Sequence, residues 1–148
     1  MKLSTKGRYG ARAMLELALN YKKGPVILSD ISRRQEISAK YLERIMNLLV
    51  SSGLVRSERG KNGGFTLARE PSKITLGQIV RVTEGSLSVV NCVDDKKICK
   101  RSGDCVMLQI WSGLTDTINK QLNSITLKDI AEMHLERKTS KKDAMYYI

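Results

Sequence analysis

The stretch from Ser29 to Leu67 constrains the fold more than any other part of the chain. Asp30 to Gln35 predicts a short helix, with Ser29 as its cap and Ile31 facing inward. Ser38 is placed to cap a second helix, Ala39 to Ser52, because a serine hydroxyl accepts a bond from an orphan N–H of the first turn. In that helix Leu42, Ile45, Met46, Leu49 and Val50 recur at i, i+3, i+4, i+7 and i+8 and predict a buried face. Lys40, Glu43, Arg44, Asn47 and Ser51 fall on the opposite face. Gly53 stands where a helix end needs a left-handed residue. Leu54-Val55-Arg56 and Phe65-Thr66-Leu67 read as two strands, joined by the basic, flexible tip Arg59-Gly60-Lys61-Asn62-Gly63-Gly64. The order predicts a winged helix-turn-helix, whose outward helix is shaped for a DNA major groove.

Charge points the same way. The 148 residues carry 26 Lys/Arg against 15 Asp/Glu, a net of +11. Residues 1–70 hold 14 basic and 6 acidic side chains, a net of +8, and residues 71–148 hold 12 and 9, a net of +3. The positive field therefore lies on the half that holds the helix-turn-helix, as a phosphate-binding surface requires. Arg33 and Arg34 are its candidate phosphate contacts, and Lys61 in the wing tip is a further DNA-contact candidate. No segment is long and apolar enough to span a membrane, and Arg8, Arg12 and Glu16 interrupt what would be a signal peptide. An odd count of three cysteines with no export signal predicts the reducing cytoplasm rather than a disulfide framework. With one His, no Gly-rich phosphate loop ahead of a helix and no catalytic pair, the sequence argues against an enzyme.

Outside the central stretch, Gly7 to Tyr21 predicts a first helix, broken by Gly24-Pro25. Thr75 and Gln78 form a capping-box pair opening a helix to about Glu84. Residues 86–104 read as a polar loop. Val106 to Leu122 is the longest helical pattern, with Met107, Ile110, Trp111, Leu114, Ile118 and Leu122 on one stripe. The domain before it is too small to cover that stripe, which predicts pairing with the same helix of a second chain; packing against the first helix is the alternative. Thr126 to Asp129 opens a short last helix, with Leu127, Ile130, Ala131 and His134 inward. The fold expected is mainly α with a small β-hairpin wing. It divides into a winged helix-turn-helix over 1–84, a cysteine sensor loop over 85–105, a dimerisation helix and short C-terminal helix over 106–136, and a disordered tail over 137–148.

Cys92, Cys99 and Cys105 are the only cysteines and fall within 14 residues. Their gaps of six and five residues are not those of a structural zinc knuckle. Three thiolates on a loop could hold an iron–sulfur cluster, with Lys96, Lys97, Lys100 and Arg101 offsetting its negative charge. A thiol/disulfide switch and three inert thiols remain as alternatives.

These features together resemble the iron–sulfur-cluster regulator family of bacterial winged-helix repressors, the IscR, NsrR and CymR group, over about residues 1–136. The carriers are Met1-Lys2-Leu3-Ser4-Thr5-Lys6-Gly7-Arg8-Tyr9, Ile37-Ser38-Ala39-Lys40-Tyr41-Leu42-Glu43, the wing from Gly53 to Phe65, and the cysteine loop. The resemblance implies a homodimer on a partly palindromic double-stranded operator, with a loop cluster coupled to DNA affinity. It implies Ser38 and Glu43 as groove-facing readers and Arg59 as a wing residue entering the minor groove. Lys40, Tyr41, Arg44 and Asn47 of the same helix are further DNA-contact candidates, Lys40 departing from the small polar residue some cluster-sensing relatives carry there. It also implies Cys92, Cys99 and Cys105 as ligands of a [2Fe–2S] rather than a [4Fe–4S] cluster. Simpler roles stand beside these: Ser38 as a helix cap, Glu43 paired with Lys40, and Arg59 on a phosphate. Leu108 stands where cluster-sensing relatives place a His ligand, so the fourth ligand is open among Asp94, Asp95, Asp104, Asn91, water and a partner-subunit group. A regulator without a cluster, controlled by thiol oxidation, a protein partner or a small molecule, is the second expectation. A basic interaction or cluster-delivery protein with no operator is the third.

Overall fold

The computed structural model describes residues 2–146. Helix α1 spans Thr5–Leu19, two residues ahead of its predicted start at Gly7, because Ser4 caps it by accepting from Lys6 N. Helix α2 spans Leu28–Gln35, and its cap position is Ile27, so Ser29 lies inside the first turn and does not cap it. The cause is upstream. Val26 exchanges two 2.9 Å backbone bonds with Phe65, which holds the chain extended to the edge of α2. Asp30 then supplies the negative charge that suits a helix N-terminus.

Helix α3 spans Ala39–Ser51 with Ser38 as its cap, its hydroxyl accepting from Tyr41 N. Leu42, Ile45, Met46 and Leu49 are buried as the periodicity predicts, with Val50 half-buried. Strands β1 (Val55–Glu58) and β2 (Gly64–Leu67) pair antiparallel, with Val55 opposite Leu67 and Glu58 opposite Gly64. Gly64 is required where it stands. Its φ is +151°, and a Cβ there would lie 2.6 Å from the carbonyl oxygen of Val26.

Helix α4 (Leu76–Glu84) has the full Thr75/Gln78 capping box and buries Ile79, Val80 and Thr83 against α1. The two helices approach closely enough that a Cβ on Gly10 would lie 2.8 Å from Thr83 Cγ2. The core unites α1 to α3, the hairpin, Ile74, Ile79 and Leu127.

The segment after α4 is not a plain loop. It holds the short helix α5 (Asn91–Asp94) and a 3-10 turn at Lys96–Ile98. Helix α6 (Val106–Ser124) packs on α4 and α5 rather than on α1, and among its residues only Thr115 is buried. Helix α7 spans Leu127–Tyr146 and packs on α1. Its first turn is closed reciprocally: Thr126 N donates to Asp129 Oδ2 at 2.8 Å and Asp129 N to Thr126 Oγ1 at 3.1 Å. The missing apolar period past 136 predicts a disordered tail, yet α7 continues through it. Residues 137–146 contain no Gly or Pro, and a helix already nucleated propagates through Arg, Lys, Ala and Met. The apolar period reports burial, and residues 137–142, 144 and 145 are exposed. Tyr147 and Ile148 lie outside the described residues.

Candidate nucleic-acid interface

Helix α3 presents one polar face to solvent. Ser38, Lys40, Glu43, Arg44 and Asn47 are all exposed, directly behind the buried Leu42, Ile45, Met46 and Leu49. The face mixes two cations, one carboxylate and one amide, which is a donor and acceptor set that base edges distinguish. Leu48, one turn on from Arg44, is 40% exposed. It adds an apolar group of the kind that contacts a thymine methyl, and the helical period alone left it unassigned. At the hairpin tip Arg59 and Lys61 are exposed beside Gly60, whose φ of +107° allows the reversal.

The remaining predicted residues are tied into the protein. Tyr41 is half-buried, its ring edge-on to Tyr9 with centroids 6.0 Å apart. Arg33 reaches Asp30 at 2.8 Å, and Arg34 reaches the buried Glu16 at 3.3 Å.

The residues that position α3 were missed by the sequence reading. Gln35, the last residue of α2, is gripped at both ends of its amide from α1. Arg12 Nε donates to Gln35 Oε1 at 2.8 Å, and Gln35 Nε2 donates to Glu16 Oε1 at 2.6 Å. A second Arg12 N–H donates to the Gln35 main-chain carbonyl. The Arg12 guanidinium also lies 5.4 Å from the Tyr9 ring, which itself abuts Tyr41. The chain then turns through Glu36 at φ +53°, and Ser32 Oγ donates to Ile37 O at 2.6 Å. One clamp thus fixes the end of α2, the turn and the start of α3. Its only sequence signal is an i, i+4 pair of charges, Arg12 and Glu16, inside the apolar run of α1.

The three cysteines are free and half-buried: Cys92 in α5, Cys99 after the 3-10 turn, and Cys105 at the cap position of α6. Among the described residues no group of three His, Cys, Asp or Glu side chains is placed to hold a metal ion. Two acids open as a fourth ligand are engaged elsewhere. Asp94 accepts from Ser88 Oγ at 2.6 Å, and Asp95 from Lys97 N at 2.9 Å. Hydrogen bonds from Ser86 and Ser88 hold the Asp94 carboxyl below its ordinary range. The three thiols are not gathered around one metal-ion position. Leu108 and Gln109 line an open cleft beside Cys105, together with Lys96, Ser102 and Asp116.

Along α6, Val106, Met107, Ile110 and Leu114 are between 44% and 72% exposed. Trp111, Ile118 and Leu122 are half-buried. One side of the stripe therefore faces outward over several turns. Among the described residues no helix is long and apolar enough to cross a membrane.

Known proteins share this arrangement. The family profile described as "Rrf2: Iron-dependent Transcriptional regulator" matches residues 3–133. The HTH-type transcriptional regulator CymR of Bacillus subtilis strain 168 is 41% identical over 131 residues, covering 88% of this chain and 90% of the relative. The solved structure described as CymR (YrzC), the global cysteine regulator of B. subtilis, superposes with a TM-score of 0.75 at 40% identity, over 90% of this chain and 98% of that one. The structure of T. potens IscR superposes with a TM-score of 0.74 at 40% identity, over 90% of this chain and 88% of that one. A profile match over most of the length, a relative this similar across nearly its whole length, and a shared winged-helix fold place the chain in one group: it belongs to the Rrf2 family of transcriptional regulators.

Proposed function

We propose that the protein is a homodimeric, sequence-specific DNA-binding regulator whose operator affinity follows the state of its cysteine loop. The observation that carries the DNA half is the exposed face of α3, clamped from α1 and flanked by the basic wing tip. Glu43 is suited to accept from a cytosine amino group, Arg44 and Lys40 to donate to guanine, and Asn47 to pair with adenine. Ser38 stays on the helix cap, and Tyr41 steadies the α3 start through Tyr9. Arg59 suits the negative potential of a narrow minor groove, and Lys61, Arg33 and Arg34 suit phosphates. The partly uncovered α6 stripe supports an isologous dimer, which sets two recognition helices at a fixed spacing.

The sensing half rests on the crowding of all the cysteines into 14 residues that join α4 to α6. A redox change there moves the segment leading into the dimerisation helix, and so the spacing of the recognition helices. That is a population shift, and it requires different DNA affinities in the two states. The family description as iron-dependent supports an input linked to iron, and the relative's description as a cysteine regulator supports one linked to cysteine. Since the thiols do not converge on a metal position, no step here runs through a cluster.

Selection from random double-stranded DNA tests the first half. A motif with two-fold symmetric half-sites is expected, and binding that depends on salt but not on sequence would overturn it. Comparing operator affinity of oxidised, reduced and Cys→Ser protein tests the second. Equal affinities in all three, including protein purified without air, would remove the sensing role.

A further inference from the structure

The C-terminal half of α7 lies beyond the residues matched by the family profile, which end at 133, yet it is a continuous helix. It carries Arg137, Lys138, Lys141 and Lys142, all exposed. Positions i, i+1, i+4 and i+5 fall within about 140° of helix arc, so the four cations form one stripe. The usual fate of such a stripe is to be a solvated face. Its location argues otherwise. Lys138 lines the same cleft as Lys23 and as Arg34 of α2, between α1, α2 and α7. Lys138 therefore brings the stripe to the cleft that Arg34 of the first helix-turn-helix element also lines, where the Glu16 carboxylate is held by Arg34 and Gln35. In this motif the first helix crosses the DNA backbone, while the following helix enters the groove. Lys141 and Lys142 lie one turn further along α7, so the helix carries positive charge outward from the α2 end.

We infer that the C-terminal half of α7 is an accessory DNA-backbone contact, binding phosphates that flank the half-site read by α3. The ligand is the phosphodiester chain of duplex DNA, engaged without regard to sequence. The inference rests on the DNA-binding reading above.

The test compares the full-length protein with a variant carrying R137Q, K138Q, K141Q and K142Q, and with one carrying K141E and K142E. Operator and random-sequence duplexes, each extended beyond the half-sites, are titrated across a salt series. Wild-type preference for the operator over the random-sequence duplex establishes the underlying reading independently, because the salt slope alone reports only phosphate contacts. For the Gln variant, log K against log[salt] is expected to become shallower by about 1.8 per dimer if each protomer loses one phosphate, and by about 3.6 if each loses two. Affinity for both duplexes is expected to fall by the same factor, and trimming the operator flanks should erase the difference from wild type. Charge reversal at two positions changes the charge by the same four units per protomer and should weaken binding comparably at low salt. Unchanged slope and affinity in a folded variant would overturn the proposal. A loss confined to the operator sequence would overturn it too, because phosphate contacts carry no base information.

Discussion

Gln35 donates to the buried carboxylate of Glu16 at 2.6 Å, and this bond ties the end of α2 to α1 just before the chain turns into α3. With Arg12 holding the other end of the same amide, α1 acts as the bench on which α3 is aligned. Gln35→Ala leaves Glu16 with only the longer contact to Arg34. The expected cost is about 1–3 kcal/mol of stability, from a buried acceptor that loses its main partner. The diagnostic effect lies elsewhere: the ratio of operator to random-DNA affinity should fall in protein that remains folded by circular dichroism. An unchanged ratio would make the clamp structural only.

Gly10→Ala probes the contact behind that bench. The added methyl would meet Thr83 Cγ2 at 2.8 Å between two packed helices, and Thr83 is pinned by its hydroxyl to Ile79 O and Val80 O. Overpacking of this kind costs about 1–3 kcal/mol, measurable as a lower denaturant midpoint with an unchanged slope. An unshifted midpoint would show that the α1–α4 contact absorbs the methyl without net cost.

Ile110→Glu together with Leu114→Glu places two charges on the exposed side of the α6 stripe, where both residues are nearly half exposed in the isolated chain. Sedimentation should show monomers, and affinity for a two-half-site operator should drop to that of one half-site. A stable dimer in the double variant would move the interface elsewhere.

The cysteine segment has one acid-sensitive tie. The Ser86 and Ser88 hydroxyls hold the Asp94 carboxyl below its ordinary value of 3.8. Because the folded value is the lower one, the tie is fully present above 3.8 and is lost as pH falls through the lowered value. Carbon-detected titration should place Asp94 below 3.8, and Ser86→Ala with Ser88→Ala should raise it toward 3.8. No change in the double variant would exclude the hydroxyls as the cause.

Much of this was legible in the chain. The buried stripe of α3, the Ser38 cap, the hairpin and the Thr75/Gln78 box follow from local spacing, and local spacing survives folding. Ser29 misled because a long-range bridge, Val26 to Phe65, decides where α2 begins. The last turns of α7 were hidden because helix propensity continues where amphipathicity stops. The clamp was invisible for a different reason: Gln35 is adjacent to Arg12 and Glu16 only once α2 lies across α1. The cysteines were legible as a group, but not that their thiols fail to meet at one metal position, since a spacing of six and five residues does not say how the intervening turns fold.

The central claim is that the outward face of α3 reads bases, and Glu43→Gln tests it most directly. The exchange keeps size and shape but converts an acceptor-only group into one that also donates. Base-resolved affinity profiles of wild type and variant should differ at one position in each half-site, symmetrically, with about 1–3 kcal/mol of discrimination lost there and the other positions unchanged. An identical profile, with affinity lowered evenly at every position or not at all, would contradict base reading by this helix.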